Sequence, residues 1–183
     1  MSDTFYYRLS NIEKNRIAQN LIDIFQKDEK ITDEARIFIK NWILTVGSEK
    51  RKAFFDVWEI VLKNFLPETR PILFRACSRI TKKQKVSSFT GSLDCASRFS
   101  KRKGFLLMCD TKDTLKYEGE LLKPGRYMHT FYPIVDLLKK ARDAKDWGFS
   151  ESFISDYIGE DEYIMKVDWY GMNRFKWLPE PKN

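Results

Sequence analysis

Cysteine, histidine and uninterrupted apolar runs are all scarce in this 183-residue sequence. Only Cys77, Cys95 and Cys109 are present, with no CxxC pair, and His129 is the one histidine. An odd, unpaired set of thiols beside a single imidazole makes neither a disulfide framework nor a zinc ligand set, so reduced cysteines in a cytoplasmic protein are expected, without a metal. No stretch approaches the roughly 20 apolar residues of a membrane span, and Met1-Ser2-Asp3-Thr4 does not open a basic-then-apolar leader, so export and a membrane partner are not expected. No GxGxxG run follows any strand-like segment, so a doubly wound dinucleotide-binding domain is not supported.

What the chain has is apolar material and positive charge. Hydrophobic residues make up 43% and aromatics 15%, enough to fill the core of one domain. The net charge of +7 favours anionic partners through its long-range field, or is simply a solubilising surface. Lys82, Lys83 and Lys85, with the run Lys101-Arg102-Lys103, concentrate that charge.

The first third reads as helices. Ser10 and Glu13 have capping-box spacing ahead of Ile17, Leu21, Ile24 and Phe25. A second helix is predicted from Thr32 to Val46, with Phe38, Ile39, Trp42 and Ile43 apolar and Gly47 ending it. A third starts after Ser48, carries Phe54, Phe55, Trp58, Val61, Leu62 and Phe65, and stops before Pro67. These aromatics read as core. Beyond Pro71 come short β-like runs at Ile72 to Cys77, Val86 to Thr90, Gly104 to Cys109, Leu115 to Leu122, Tyr163 to Trp169 and Arg174 to Leu178, with helical stretches at Leu93 to Lys101 and Ile134 to Ala144. The expectation is a single α+β domain over 1–183, with a helical lobe (1–68), a strand-rich half (69–183), and Pro67 to Pro71 as the hinge.

Three features carry chemistry. Arg75 interrupts the apolar run Ile72-Leu73-Phe74-Arg75-Ala76-Cys77, on the strand face of Leu73 and Cys77. It reads either as a fork of donors for a phosphate or carboxylate, or as an edge arginine pointing to water. Ser88-Phe89-Thr90-Gly91-Ser92 closes a strand ahead of Leu93-Asp94-Cys95-Ala96-Ser97-Arg98-Phe99, where the hydroxyls cap a helix or reach into a site. In Glu160-Asp161-Glu162, a strand beginning at Glu162 places Glu160 and Glu162 on one face, as a site for a cation or proton transfer or as a solvated turn.

The ordered triple resembles the Arg/Ser/Glu signature of the ADP-ribosyltransferase superfamily, over roughly Ile72 to Val167. Ser88-Phe89-Thr90 followed by Ala96 and Arg98-Phe99 is similar to the small arginine-specific transferases that bacteriophages deploy against host proteins. The resemblance implies a core of two small packed sheets around an NAD+ cleft, and NAD+ as a cleaved cosubstrate. It implies that Arg75 binds NAD+ through its phosphates, with Ala76, Ser88, Thr90 and Phe99 alongside. Ser88 would orient Glu162, Glu162 would stabilise the oxocarbenium ion as nicotinamide leaves, and Glu160 would activate an acceptor guanidinium. The Ser-Thr-Ser run of the family aligns with Ser88-Phe89-Thr90 or with Thr90-Gly91-Ser92; the first is preferred. Trp147 to Gly159 corresponds to the acceptor-presenting loop, with Phe149 and Tyr157 as candidate contacts, or as core packing. Host RNA polymerase and the translation machinery, in a host cytoplasm, are compatible targets, and NAD-capped RNA is a compatible donor. The poly-ADP-ribosylating branch uses a His where Arg75 stands, and His129, after the Ser motif, reads as structural. Two other readings stay open: an NAD+ glycohydrolase on the same fold, and a noncatalytic basic protein gripping nucleic acid through the lysine clusters and nearby aromatics.

Overall fold

The computed structural model describes residues 8–46, 50, 52–78, 86–101, 103–113, 130–166 and 172–177. Gly47, Lys82, Lys83, Lys85, Arg102, His129 and the strand expected at Leu115 to Leu122 lie outside them.

Helix α1 (Asn11–Gln26) opens on a complete capping box. Ser10 Oγ accepts from the Glu13 amide at 3.3 Å, and the Glu13 carboxylate accepts from the Ser10 amide at 2.7 Å. The Ser10 hydroxyl, which donates to the Glu13 carboxylate at 2.6 Å, and then the Ser10 amide hold the Glu13 carboxyl below its ordinary range. Helix α2 (Asp33–Leu44) starts at Thr32, whose side chain caps Ala35, and α3 (Lys52–Asn64) ends ahead of Pro67. The strands are β1 (Ile72–Cys77), β2 (Val86–Thr90), β3 (Phe105–Asp110), β4 (Phe131–Pro133), β5 (Glu162–Lys166) and β6 (Asn173–Lys176). Helix α4 (Leu93–Ser100) follows β2, α5 (Ile134–Ala144) follows β4, and α6 (Glu151–Ile158) precedes β5. None of the helices among the described residues is long and apolar enough to cross a membrane.

The described strands form one antiparallel sheet in the order β4-β5-β2-β1-β3-β6. This corrects the expectation of two packed sheets, although the sheet is nearly divided. β1 pairs with β3 at six positions and β2 with β5 at five, whereas β1 and β2 share the single register pair Phe74↔Thr90.

Alternation gives the sheet two apolar faces. Val86, Tyr132 and Ile164 point into a core shared with α1, α2 and α3, while Leu73, Phe89, Leu107, Phe131, Tyr163 and Met165 form a second core. The helical lobe and the sheet thus share one interior. At its centre Tyr132 meets Trp58, Phe65 and Phe25 at ring separations of 5.0–5.4 Å, and its hydroxyl donates to the Leu21 carbonyl at 2.9 Å.

Two elements differ from the sequence reading. Trp147 to Gly159 is not simply a loop, because Ser150 caps Phe153 and starts α6, whose Phe153, Tyr157 and Ile158 pack on the helical core. The three-residue β4 was not anticipated, and its Pro133 is accommodated because β4 is an edge strand.

Replacing Tyr132 by Phe removes the hydroxyl and keeps the ring. The expected cost is about 1 kcal/mol, read as a lower urea midpoint with an unchanged slope.

Candidate functional site

Where β1 and β2 part, the space between them is taken by a side chain. Arg75 lies on the face of Leu73, but its guanidinium turns into the seam, where Nη1 donates to the Ser88 carbonyl at 2.6 Å and the guanidinium carbon sits 6.0 Å from the Phe89 ring centre. Burial pulls its proton affinity down, opposed by the charges of Cys77 and Glu162. Beside the seam opens a cavity of about 320 Å³.

Arg75, Ala76, Ser88, Thr90, Phe99, Glu160 and Glu162, seven of the residues singled out in the sequence, line that cavity together. Strand register explains the convergence. Glu162 opposes Thr90 and Ser88 opposes Ile164, so Ser88, Thr90 and Glu162 share the sheet face that farther along carries Val86 and Ile164. The cavity is where that face emerges from under the helical lobe.

Glu160 reaches the same cavity from the turn before β5. Its carbonyl accepts from Thr90 Oγ1 at 2.8 Å and from Cys95 Sγ at 3.5 Å. Asp161 adopts a left-handed conformation, φ 48°, and the Gly91 amide donates to its carbonyl at 3.2 Å. Its side chain bonds Tyr163 instead of entering the cavity; burial first, then the Asp161 charge, raises the tyrosine's pKa. Thus Glu160 and Glu162 face the cavity and Asp161 does not. Burial first, then the Glu162 charge, raises the Glu160 pKa, and Arg98 opposes both. A carboxyl so raised is suited to taking up a proton nearer neutrality.

The remaining candidates fall elsewhere. Phe149 stacks on Phe153 at 5.6 Å, Phe153 meets Tyr157 at 5.0 Å, and Lys40 lies 5.4 Å from the Phe149 ring centre. Phe149 and Tyr157 pack against the helical core and do not line the cavity. Ser92, the alternative motif hydroxyl, caps α4 by accepting from the Cys95 amide. Lys101 ends that helix with φ 50°. No disulfide joins the three cysteines; burial pushes Cys77 up despite Arg75, which leaves it a poor thiolate. Among the described residues no cluster of three or more His, Cys, Asp or Glu side chains could hold a metal ion.

Two contributors come from the helical lobe: Trp42, read as core, and Lys50, which the sequence did not single out. Trp42 Nε1 donates to Glu162 Oε1 at 3.1 Å, and Lys50, which also lines the cavity, sits 3.6 Å from the centre of the Trp42 ring. Trp42 sits among buried aromatics at helical spacing and Lys50 among charges at a helix start, so neither carried a sequence signal. No protein-family model matches the chain, and no curated protein or solved structure is detectably similar to it.

Two predictions follow from this geometry. A Cβ on Gly91 would lie 2.2 Å from Asp161 Oδ2, so Gly91→Ala must push the Asp161 side chain aside and disturb its contact with Tyr163; a lower Tm is expected. Because the Glu160 pKa is raised by folding, stability falls as pH rises through the interval between its unfolded and folded values, and ionised Glu160 costs stability above it. Glu160→Gln should therefore raise Tm near neutral pH, a gain that vanishes below about pH 4, where the unfolded carboxyl is itself protonated. Calorimetry across pH tests this.

Proposed function

We propose that this protein is an arginine-directed mono-ADP-ribosyltransferase that splits NAD+ and transfers ADP-ribose to a target protein, acting as a bacteriophage effector on host proteins. The observation that carries the reading is the convergence of Arg75, Glu160 and Glu162 on one cavity beside the β1–β2 seam. A cation for a diphosphate and two carboxylates of unequal environment are what the transfer requires.

Arg75 meets the NAD+ diphosphate with the donors not used on Ser88. Glu162 accepts from a hydroxyl of the nicotinamide ribose. As the C1′–N bond breaks, its electron pair passes to the pyridinium ring, giving neutral nicotinamide, and the Glu162 carboxylate stabilises the positive charge left on the sugar. Glu160 holds the acceptor guanidinium, whose nitrogen attacks C1′, and takes up the proton released. The half-buried setting that raises its pKa equips it for that step. Thr90 serves by fixing the Glu160 backbone. Phe99, 69% exposed at the rim, offers an aromatic face to the incoming substrate.

The purified protein is incubated with labelled NAD+ and a bacterial lysate. The expected result is label on one or a few proteins, released by neutral hydroxylamine as a guanidine N-glycoside, with equimolar nicotinamide. Glu162→Ala should lower the rate by roughly 10²–10³-fold, in line with the loss of a charge-stabilising group. Glu160→Gln should abolish labelling while leaving slow nicotinamide release. Nicotinamide without label from the wild type would make the protein a glycohydrolase, and neither product from folded protein would overturn the reading.

A further inference from the structure

We propose that Trp42 is the residue that positions the Glu162 carboxylate, so that the helical lobe is part of the catalytic apparatus; the inference rests on the role given to Glu162 above. The indole N–H meets Glu162 Oε1 at 3.1 Å across 120 residues of sequence, joining α2 to the first residue of β5. One carboxylate oxygen is thereby fixed, and Oε2 is left for the ribose hydroxyl.

The donor itself is immobile. Trp42 is 1% exposed, with Phe54, Phe55 and Trp58 packed edge-on at 6.0, 6.1 and 5.6 Å. A ring packed on several sides is restrained in place, which is what a preorganised site needs from its supporting groups. Lys50 Nζ lies 3.6 Å from the ring centre. A cation there draws electron density from the indole and makes its N–H a stronger donor toward an anion. Trp58, in the same aromatic cluster, has an Nε1 without a hydrogen-bond partner among the described residues, so the cluster does not by itself require an indole donor to be paired.

The resemblance drawn from sequence gives this orienting role to Ser88. In the structure Ser88 shares the sheet face with Glu162, one step diagonal, and its carbonyl receives Arg75. Among the described residues no hydrogen bond joins the Ser88 hydroxyl to Glu162, whereas Trp42 makes one. Trp42 takes no part in the chemistry; it acts through Glu162.

Trp42→Phe keeps most of the packing and deletes the donor, and Trp58→Phe is the matched control in the same cluster. Steady-state NAD+ cleavage should show kcat down by about tenfold or more in Trp42→Phe, as expected when a reacting group loses its orientation, with KM for NAD+ within about twofold. Trp58→Phe should keep kcat near wild type. As a readout independent of folding in the Trp42 variant, the indole ¹⁵N–¹H resonance of Trp42 should shift when Glu162 is changed to Gln, and that of Trp58 should not. An active wild type whose Trp42→Phe variant keeps kcat within about twofold would overturn the positioning role alone. An indole resonance indifferent to Glu162→Gln would overturn it as well. A folded wild type that cleaves no NAD+ would overturn the functional reading and this inference with it.

Discussion

The structure turns on a strand pair that is almost not a pair. β1 and β2 lie next to each other in the sheet yet meet in register only at Phe74 and Thr90, and the Ser88 carbonyl accepts from the guanidinium of Arg75. A charge-assisted bond to a backbone acceptor satisfies a part-buried group that would otherwise cost free energy. An apolar residue at position 75 could not satisfy that carbonyl from the seam. The parted strands leave room for a cavity, and the carboxylates at the start of β5 reach it because β5 pairs with β2 on the opposite side from the seam.

The turn between α6 and β5 adds a second constraint. To present Glu160 and Glu162 on one side, the chain places Asp161 in the left-handed region, which non-glycine residues visit at a cost. Compensation comes from neighbours: Gly91 and Thr90 donate to the Asp161 and Glu160 carbonyls, and Tyr163 engages the Asp161 side chain. Burial raises the pKa of both Glu160 and Asp161, so the turn is held in a form that opposes its own ionisation at neutral pH. Free energy is thus stored beside the cavity and offset by the aromatic core behind it.

Elements with a strong period and clear boundaries were legible in the sequence. The Ser10 capping box, β1, β2 and α5 follow from alternation, helical spacing and flanking stop residues. Short elements were not: β4 is three residues ending in proline, and α6 is two turns whose aromatic content resembles an irregular segment. Two packed sheets were implied by the resemblance and not by any strand pattern, and the single register pair Phe74↔Thr90 is what joins the described strands into one sheet. Of the cavity, Arg75, Ser88, Thr90, Glu160 and Glu162 stood out as polar groups breaking or ending apolar runs, and the structure brings them to one place. Trp42 and Lys50 did not, because an indole on an apolar helix face has the same sequence context whether or not it meets a carboxylate 120 positions away.

Strand β5 is gripped at both ends by the helical lobe. Trp42 of α2 holds Glu162 at its start, and Glu59 of α3 forms an ion pair with Lys166 at its finish. Between those points Ile164 is buried in the core the lobe shares. This removes the modularity that a layout of helices followed by strands implies. The first 68 residues could not be traded for another recognition unit as a cassette, since a replacement would have to supply an indole, a carboxylate and an apolar surface in matching register. Any diversification of what this protein recognises is therefore confined to surfaces that do not touch β5, and the lobe and the strand must change together.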